Sequence, residues 1–487
     1  MATAVELLPK RTRTCAEGLV RKGSPLATGL LLILSDLVAL AVAGWAGAVG
    51  WSFINPGVTP SPYFTLWPAL TVFLLVYASI GLYPAAGLSP VEELRRVVSA
   101  TTLVYLAASA SIFLSKDIGV YSRGVFLLSW LGSVFLVPLL RVALRHTFAA
   151  RPWWGVPVII LGGGEVGHTV CSRLIGQPYL GLKPVALLAD CDEEGHPHCE
   201  VPLAGSLSLA PELARSLGVR HALVAMPEVK RGELVAALDR MGEIFPHLIM
   251  IPDLFGMASL WVSPRDIGGV LGFEIRQNLL MPMNRWIKRA FDLVFASLLG
   301  ILAAPVIALA ALLIKCVSPG RAFYTQERMG ESDRPIHVLK LRTMHVDAEA
   351  RLTQLLARNP AARREWERYF KLKDDPRILP GIGRFLRRTS LDELPQLWNV
   401  IRGEMSLVGP RPFPPYHLDH FNAKFRALRS RVTPGITGPW QVSARSNGDL
   451  FVQEALDSYY IRNWSLWLDL HILARTVHAV LSRDGAY

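Results

Sequence analysis

The sequence predicts a membrane α/β protein in three parts: an N-terminal four-helix transmembrane bundle (residues 1–150), a Rossmann-like middle domain (residues 151–280) and a C-terminal domain that begins with a re-entrant membrane helix (residues 281–487). Three observations predict this fold class. Long apolar runs crowd the first third of the chain, a glycine-rich turn follows a β-branched run in the middle, and the positive charge is concentrated at the C-terminal end. At about 150 residues per domain, three units are expected.

The composition places part of the chain in lipid. Apolar residues make up 51% of the sequence and charged residues only 18%, whereas soluble proteins average about 25% charged residues. Disordered, collagen-like and small disulfide-stapled classes are thereby excluded. The five cysteines show no disulfide spacing. Two of them flank a histidine pair within residues 190–199, which matches no common zinc module, so we interpret this stretch as an exposed turn, with a zinc site as the alternative.

The positive charge is strongly asymmetric. The chain carries a net charge of +12, and residues 281–487 contribute +11 of it, from 30 Lys and Arg against 19 Asp and Glu. Such a surface suits anionic lipid or phosphorylated substrates. The basic residues alternate with Pro, Gly and paired carboxylates, without a helix-turn-helix or similar reader, so nucleic acid is not expected as a partner.

Four apolar runs are long enough to cross about 30 Å of hydrocarbon as helices. They cover residues 26–50, 63–83, 97–115 and 124–140. Lys and Arg lie before the first run, between the second and third, and after the fourth, which predicts that both ends of this bundle face the cytoplasm. Asp36 is the exceptional ionisable residue within a span. We therefore interpret the bundle as an anchor; a transporter would need more polar groups along its path.

A fifth apolar run, Phe291 to Ile314, is flanked by basic residues at both ends, so charge assigns it no direction across the membrane. Pro305 lies in its middle, where it removes a backbone hydrogen bond and favours a kink. We therefore predict a re-entrant helix that enters the inner leaflet, bends at Ala304-Pro305 and returns. The alternative is an ordinary fifth span.

The middle domain begins with the β-branched strand Val158–Leu161. Gly162, Gly164 and Gly167 follow directly in a G-x-G-x-x-G spacing that opens a helix. Glycines permit a tight turn, and a helix N-terminus attracts a pyrophosphate, so these three residues are candidate nucleotide contacts. Further strands are predicted at residues 184–188, 221–227 and 247–252, with a helix over 233–241 and Asp190 as a candidate ribose ligand. The alternative is a structural, regulatory or oligomerising domain.

Two adjacent carboxylates follow two adjacent arginines in the C-terminal domain: Arg387, Arg388, Asp392 and Glu393. One interpretation is a capping box, in which Ser390 caps a helix and Glu393 completes the cap. The other is a phosphate-handling site. An aspartate can attack phosphorus, a neighbouring carboxylate can hold Mg²⁺ on a diphosphate, and arginines, including Arg411, can neutralise phosphate oxygens.

Near the C-terminus, residues 457–469 mix aromatic and polar side chains. This pattern is typical of a helix at the membrane interface. Packing of Trp464 and Trp467 against the rest of the domain explains it equally well.

The C-terminal domain also resembles a known family, the bacterial sugar transferases, which act as polyprenyl-phosphate sugar-phosphate transferases. The resemblance covers about residues 285–487 and rests on five motifs: Leu339-Lys340-Leu341-Arg342-Thr343-Met344, Asp375-Pro376-Arg377, Thr389-Ser390-Leu391-Asp392-Glu393-Leu394-Pro395-Gln396, Gly409-Pro410-Arg411-Pro412, and residues 431–441. The four spans and Rossmann-like domain are similar to the long form of this family.

The resemblance implies a reaction and roles for residues. A UDP-sugar and undecaprenyl phosphate would give undecaprenyl-diphospho-sugar and UMP in two steps, with Asp392 as nucleophile and Glu393 as ligand of a Mg²⁺ cofactor. Phosphate or nucleotide contacts would come from further basic residues: Arg387, Arg388, Arg411, Lys340 and Arg342. Ala304 departs from the family, where serine often precedes the proline, and Ala444 departs where glycine is usual.

The resemblance further implies the cell-biological setting. The enzyme would lie in the bacterial inner membrane as a homodimer with its soluble domains in the cytoplasm, and would start synthesis of a capsule, exopolysaccharide or O-antigen. Galactose is the sugar we expect, with glucose as the alternative. A membrane-bound nucleotide sensor is the alternative from another functional class.

Overall fold

The computed structural model describes residues 23–114, 121–189, 201, 203–226, 237–238, 240–251, 262–267, 270–275, 278–359, 363, 375–418, 421–443 and 450–482. Several predicted features lie outside them: the basic residues before the first span, Asp190 with the cysteine and histidine cluster, most of the helix at 233–241, and Ala444. The chain divides into two compact units, Met1–Gly256 and Met257–Tyr487. The predicted domain bounds at residues 150 and 280 stay predictions.

The first unit begins with apolar helices: α1 (Pro25–Ile54), α2 (Ser61–Phe64), α3 (Ala69–Ser79), α4 (Pro90–Leu114) and α5 (Arg123–Phe148). Among them α1, α4 and α5 are long and apolar enough to cross a membrane. Helices α1 and α5 approach closely at Gly47, where a Cβ atom would lie 2.2 Å from Ser129 Oγ. Small residues permit such contact between membrane helices.

The second predicted span, residues 63–83, is shorter than expected. It contains α2, a run of turns and the 11-residue α3, whereas a span needs about 20 residues. Pro68 stands at the N-cap of α3; a proline disfavours helical geometry at the preceding residue and donates no hydrogen bond, so the helix cannot extend back to residue 63.

Buried charges hold the membrane helices together. Arg141 Nε donates to Asp36 Oδ1 at 2.9 Å, and Arg141 Nη1 donates to Glu93 Oε1 at 2.8 Å. Arg145 Nε lies 2.9 Å from the other oxygen of Glu93, and Tyr83 Oη donates to Asp36 Oδ2 at 2.6 Å. Asp36, the exceptional ionisable residue of the first span, therefore has its partners inside the bundle.

The α/β part of the first unit is a five-stranded parallel sheet, which contains the four predicted strands and one short strand that was not predicted. Its strands are β1 (Val156–Leu161), β2 (Leu182–Leu188), β3 (Leu203–Gly205), β4 (His221–Val224) and β5 (His247–Met250), in the order β3-β2-β1-β4-β5. Helices α6 (Glu165–Gly176) and α7 (Ala210–Leu217) connect strands. Strands β1, β2 and β4 read as near-continuous apolar runs because both faces of the sheet are buried there.

The glycine-rich turn after β1 is closely packed. A Cβ atom on Gly162, which has a φ of +120°, would lie 2.2 Å from the Ala225 carbonyl oxygen, and one on Gly167 would lie 2.0 Å from the Gly162 carbonyl oxygen. Gly164 is the N-cap residue of α6. Packing between strand and helix accounts for Gly162 and Gly167; nucleotide binding here stays a prediction.

The second unit begins with a hairpin, β6 (Val262–Ile267) and β7 (Val270–Ile275), and the 36-residue helix α8 (Pro282–Val317). At 1.5 Å per residue α8 is about 54 Å long, and it is long and apolar enough to cross a membrane. Residues on both sides of Pro305 belong to this one helix. Its predicted re-entry from one leaflet stays a prediction.

The rest of the second unit surrounds two small sheets. An antiparallel pair, β8 (Phe323–Met329) and β9 (Pro335–Leu341), and a parallel pair, β10 (Ser406–Val408) and β11 (Gly435–Thr437), are joined and covered by short helices. The helices are α9 (Ala348–Arg358), α10 (Ile382–Thr389), α11 (Leu397–Arg402), α12 (Pro415–Leu418), α13 (Ala423–Arg429), α14 (Pro439–Ser443), α15 (Leu450–Asn463) and α16 (Leu466–Ser482).

Candidate active site

The paired carboxylates lie on a short 3₁₀ helix, Leu391–Gln396, between α10 and α11. The chain turns into it at Ser390, whose φ of +57° is uncommon for a residue with a side chain. The Ser390 side chain makes no cap hydrogen bond; its carbonyl oxygen instead accepts from the Glu393 backbone N–H at 3.2 Å. The capping-box interpretation is therefore wrong. Such backbone strain is typical of functional sites.

Glu393 lies between two cations from different parts of the fold. Its Oε1 accepts from Lys340 Nζ at 2.7 Å and from Arg411 Nη2 at 3.2 Å. Lys340 is on β9, and Arg411 follows β10. Burial alone would raise the pKa of Glu393, but the charges and hydrogen bonds of Arg411 and Lys340 outweigh it and lower the pKa to about 2. This carboxylate is ionised at any physiological pH.

Asp392 has the opposite shift. Burial raises the pKa of its carboxyl, the Glu393 carboxylate raises it further, and the opposing charges of Lys340 and Arg387 leave it at about 6. At pH 7 about nine-tenths of the groups are ionised. Two adjacent carboxylates thus have pKa values about four units apart, an arrangement that commonly separates chemical roles.

The two adjacent arginines differ in environment. Arg387 is half-buried, and its Nε donates to Thr343 Oγ1 at 2.9 Å. Burial lowers the pKa of Arg387, while the nearby Asp392 and Asp375 carboxylates act to raise it. Arg388 is exposed. Of this predicted pair, Arg387 is therefore the arginine whose charge acts on Asp392.

Arg342 has contacts of a different kind from Lys340. Its Nη2 donates to the Ser318 carbonyl at 2.7 Å and its Nη1 to the Pro319 carbonyl at 2.9 Å. These carbonyls follow the end of α8, where a cation interacts favourably with the helix dipole. The guanidinium therefore supports the helix end, and these contacts add nothing to its predicted role in substrate binding.

A buried polar network missed by the sequence analysis supports the Arg411 side of the site. Lys288 Nζ on α8 donates to Asp469 Oδ2 at 2.8 Å and to the Val408 carbonyl at 3.0 Å. Asp292, one turn later, accepts from Ser406 Oγ at 2.7 Å. The i,i+4 spacing of Lys288 and Asp292 beside an apolar run was the available sequence signal. Both residues fix β10, three residues before Arg411.

The aromatic segment near the C-terminus contributes to the same network. Trp464 is buried, and its Nε1 donates to Asp469 Oδ2 at 3.1 Å. Tyr460 Oη donates to Asp469 Oδ1 at 2.7 Å. For Trp464, packing within the domain is the better explanation.

A divalent cation would find a suitable but incomplete set of ligands. Among the described residues no group of three or more His, Cys, Asp and Glu side chains could hold a metal ion. Mg²⁺, however, is usually bound through one or two carboxylates together with substrate phosphates. Asp392 and Glu393 provide such carboxylates, so the residues present fit the predicted Mg²⁺, with Glu393 as the permanently charged member.

Comparisons with known proteins identify the family of the chain. The family described as bacterial sugar transferase matches residues 283–483, and a CoA-binding domain family matches residues 78–252. The undecaprenyl-phosphate galactose phosphotransferase of Salmonella typhimurium is 34% identical over 75% of this chain and 77% of its own. A UDP-glucose:undecaprenyl-phosphate glucose-1-phosphate transferase of Escherichia coli is 31% identical over 68% of each chain.

A shorter relative marks out the C-terminal part. The exopolysaccharide production protein ExoY of Sinorhizobium fredii is 42% identical over 210 residues, which are 43% of this chain but 91% of ExoY. The similarity to full-length relatives extends well beyond that part. The chain therefore belongs to the bacterial sugar transferase family, and it is an enzyme.

Proposed function

We propose that this enzyme transfers galactose-1-phosphate from UDP-galactose to undecaprenyl phosphate and releases UMP, as the first membrane step in synthesis of a surface polysaccharide. The observation that carries the proposal is the carboxylate pair of Asp392 and Glu393. The two pKa values differ widely, and three cations from separate segments surround the pair. The names of the relatives support the sugar-phosphate donor and the lipid acceptor, whereas Mg²⁺ and UMP are inferred from the carboxylate pair and the family resemblance.

The cations account for recognition of a diphosphate. Lys340, Arg387 and Arg411 converge on the two carboxylates, and a diphosphate binding there competes with the carboxylates for them. Mg²⁺ held by Glu393 would neutralise further phosphate charge. The basic character of residues 281–487 also favours approach of UDP-sugars and of anionic lipid.

Asp392 has the properties of a nucleophile. A carboxylate with a pKa near 6 is more basic than an ordinary aspartate and yet mostly ionised at neutral pH. Its oxygen forms a bond to the sugar-bearing phosphorus while the bond from this phosphorus to the bridging oxygen breaks, and UMP leaves with that electron pair. An oxygen of undecaprenyl phosphate then attacks the same phosphorus, and the acyl-phosphate bond breaks to restore the Asp392 carboxylate.

The membrane anchor suits a lipid acceptor. The long apolar helices of the two units support a location in a bilayer, and the distribution of Lys and Arg favours cytoplasmic soluble domains in an inner membrane. A re-entrant α8 would keep the site at the cytoplasmic face, and a homodimer is the form expected from the resemblance to long family members.

The choice of galactose rests on similarity. The galactose phosphotransferase of Salmonella typhimurium is slightly more similar over more of the chain than the glucose-1-phosphate transferase of Escherichia coli. Glucose-1-phosphate is therefore the second candidate. Capsule, exopolysaccharide and O-antigen are the pathways such a product would enter.

The test is UMP release by purified full-length protein in nanodiscs with undecaprenyl phosphate, Mg²⁺ and a series of UDP-sugars, beside D392N. We expect release with UDP-galactose that depends on Asp392, and a burst of at most one UMP per protein when the lipid is omitted. Release with UDP-glucose alone would move the assignment to glucose. Folded protein that releases no UMP with any UDP-sugar would refute the proposal.

A further inference from the structure

The buried side chain of Asn399 connects three segments near the carboxylate pair. It lies on α11, six residues after Glu393, and is 3% exposed. Its Oδ1 accepts from the Leu339 backbone N–H at 3.0 Å. Its Nδ2 donates to the His337 carbonyl at 2.8 Å and to Glu404 Oε2 at 2.6 Å. Both amide hydrogens and the amide oxygen are thus used, which is the satisfied state that a buried amide requires.

The side-chain amide acts as a substitute for a neighbouring strand. His337 and Leu339 are alternate residues of β9, so the carbonyl of one and the N–H of the other point to the same edge of the strand. Strand β8 pairs with β9 along its length, and the amide binds two backbone groups at the opposite edge of β9. Lys340 is the next residue after Leu339. Fixing the backbone of β9 therefore also fixes the position from which Lys340 Nζ reaches Glu393.

The backbone of Asn399 stabilises the turn that leads towards the second cation, Arg411. Its carbonyl oxygen accepts from the backbone N–H groups of Glu404 at 3.0 Å and Met405 at 3.2 Å. These residues form the turn from α11 into β10, the strand that leads to Arg411. One residue therefore connects the helix after Glu393 to both segments that bring a cation to it.

We propose that Asn399 is a positioning residue that holds Lys340 and Arg411 on either side of Glu393. The inference rests on the proposed function only for its activity readout. The contacts require an amide, because Oδ1 faces a donor while Nδ2 faces two acceptors. An aspartate of the same shape would present an oxygen to the His337 carbonyl and to the Glu404 carboxylate.

The first test is N399D in the UMP-release assay. We expect turnover to fall at least about tenfold, since two hydrogen bonds become repulsive contacts. E404Q alone should stay within about twofold of the parent, because Glu404 does not touch Lys340, Arg411 or the carboxylate pair. The double variant N399D/E404Q should recover at least about threefold, since the amide introduced at position 404 can donate to the carboxylate introduced at position 399.

The matched control is V400A, at the next residue of the same helix, whose side chain is fully buried. It weakens packing without removing a hydrogen bond to β9. At equal loss of melting temperature, N399D should lose far more turnover than V400A. The positioning role would be overturned if the two variants lost the same turnover at equal loss of melting temperature, or if E404Q did not rescue N399D. If N399D does not fold, N399S replaces it, because serine removes the amide contacts without adding charge.

A second readout is independent of catalysis. Cysteines are placed at positions 340 and 393 in a protein whose five native cysteines are replaced by serine, and a short bifunctional maleimide joins them. We expect cross-linking to slow at least about fivefold when N399D is added. Unchanged cross-linking would refute the inference even if no UDP-sugar were a substrate, whereas inactivity of the parent protein with normal cross-linking would refute only the proposed reaction.

Discussion

Lys340 donates to Glu393 across 2.7 Å, and this ion pair influences the protonation of the neighbouring Asp392. The lysine lowers the pKa of both carboxyls. Since Glu393 is thereby kept ionised, its charge raises the pKa of Asp392. A single contact between a strand residue and a 3₁₀-helix residue thus helps to make the pKa values of the two carboxyls different.

The first prediction concerns the acidic limb of the pH profile. The proposed nucleophile must be ionised, so kcat/KM should fall about tenfold per pH unit below the Asp392 pKa of about 6. In K340M the limb should move to higher pH, because a cation that lowers this pKa is lost. UMP release between pH 5 and 9 measures both profiles. A parent profile that stays flat down to pH 5 would contradict the assignment of Asp392.

The second prediction uses the difference between two adjacent arginines. R387A should reduce turnover at least about tenfold more than R388A, because Arg387 is half-buried beside Asp392 and Arg388 is exposed. R387K should recover little, since lysine cannot reproduce the guanidinium contact with Thr343. Steady-state UMP release checks all three variants. A larger loss in R388A would reverse the assignment.

The third prediction is a gain of stability on removal of the proposed nucleophile. The pKa of Asp392 is higher in the folded protein, at about 6, than in an unfolded chain, where it is about 3.9. Protonation of Asp392 therefore stabilises the folded state as the pH falls from about 6 to about 3.9, and this stabilisation is lost as the pH rises back through 6. D392N should raise the melting temperature at pH 8, and the difference should shrink towards pH 4.

The matched control for this effect is D347N. Asp347 is the exposed N-cap residue of α9 and pairs with Arg351 in that helix, so its loss should change the melting temperature little at either pH. Thermal unfolding of the three proteins at pH 4 and 8 provides the comparison. If D392N were less stable at pH 8 than the parent protein, the ionised Asp392 would not destabilise the folded state, and the prediction would fail.

The fourth prediction concerns the membrane bundle. R141M leaves Asp36 and Glu93 buried without their shared partner, and breaking a buried ion pair costs about 3–5 kcal/mol. R95A removes a partly exposed pair with Glu92 and should cost about 1 kcal/mol or less. Thermal unfolding in detergent measures both. Equal stabilities would show that the buried network contributes little.

The sequence alone predicted the components of this protein well. Hydropathy located the apolar helices, the glycine spacing located the turn after β1, and the motif around Asp392 and Glu393 located the candidate site. These features are local, since they depend on the order of residue types along a few turns or strands. Prediction was harder where two local patterns overlapped. An apolar run contained Pro68, and the second span is shorter than predicted; a capping pattern overlapped the carboxylate motif at Ser390, and the sequence left both interpretations open.

The tertiary structure decided which side chains act together. Lys340 and Arg342 are two residues apart in one motif, yet Lys340 binds Glu393 whereas Arg342 binds the carbonyls at the end of α8. Lys288 and Asp469 are distant in sequence and adjacent in the fold. Pattern along the chain determined which residue types and elements are present. Only packing determined the charges around each carboxylate, because electrostatic interactions depend on distance and burial, which sequence spacing does not specify.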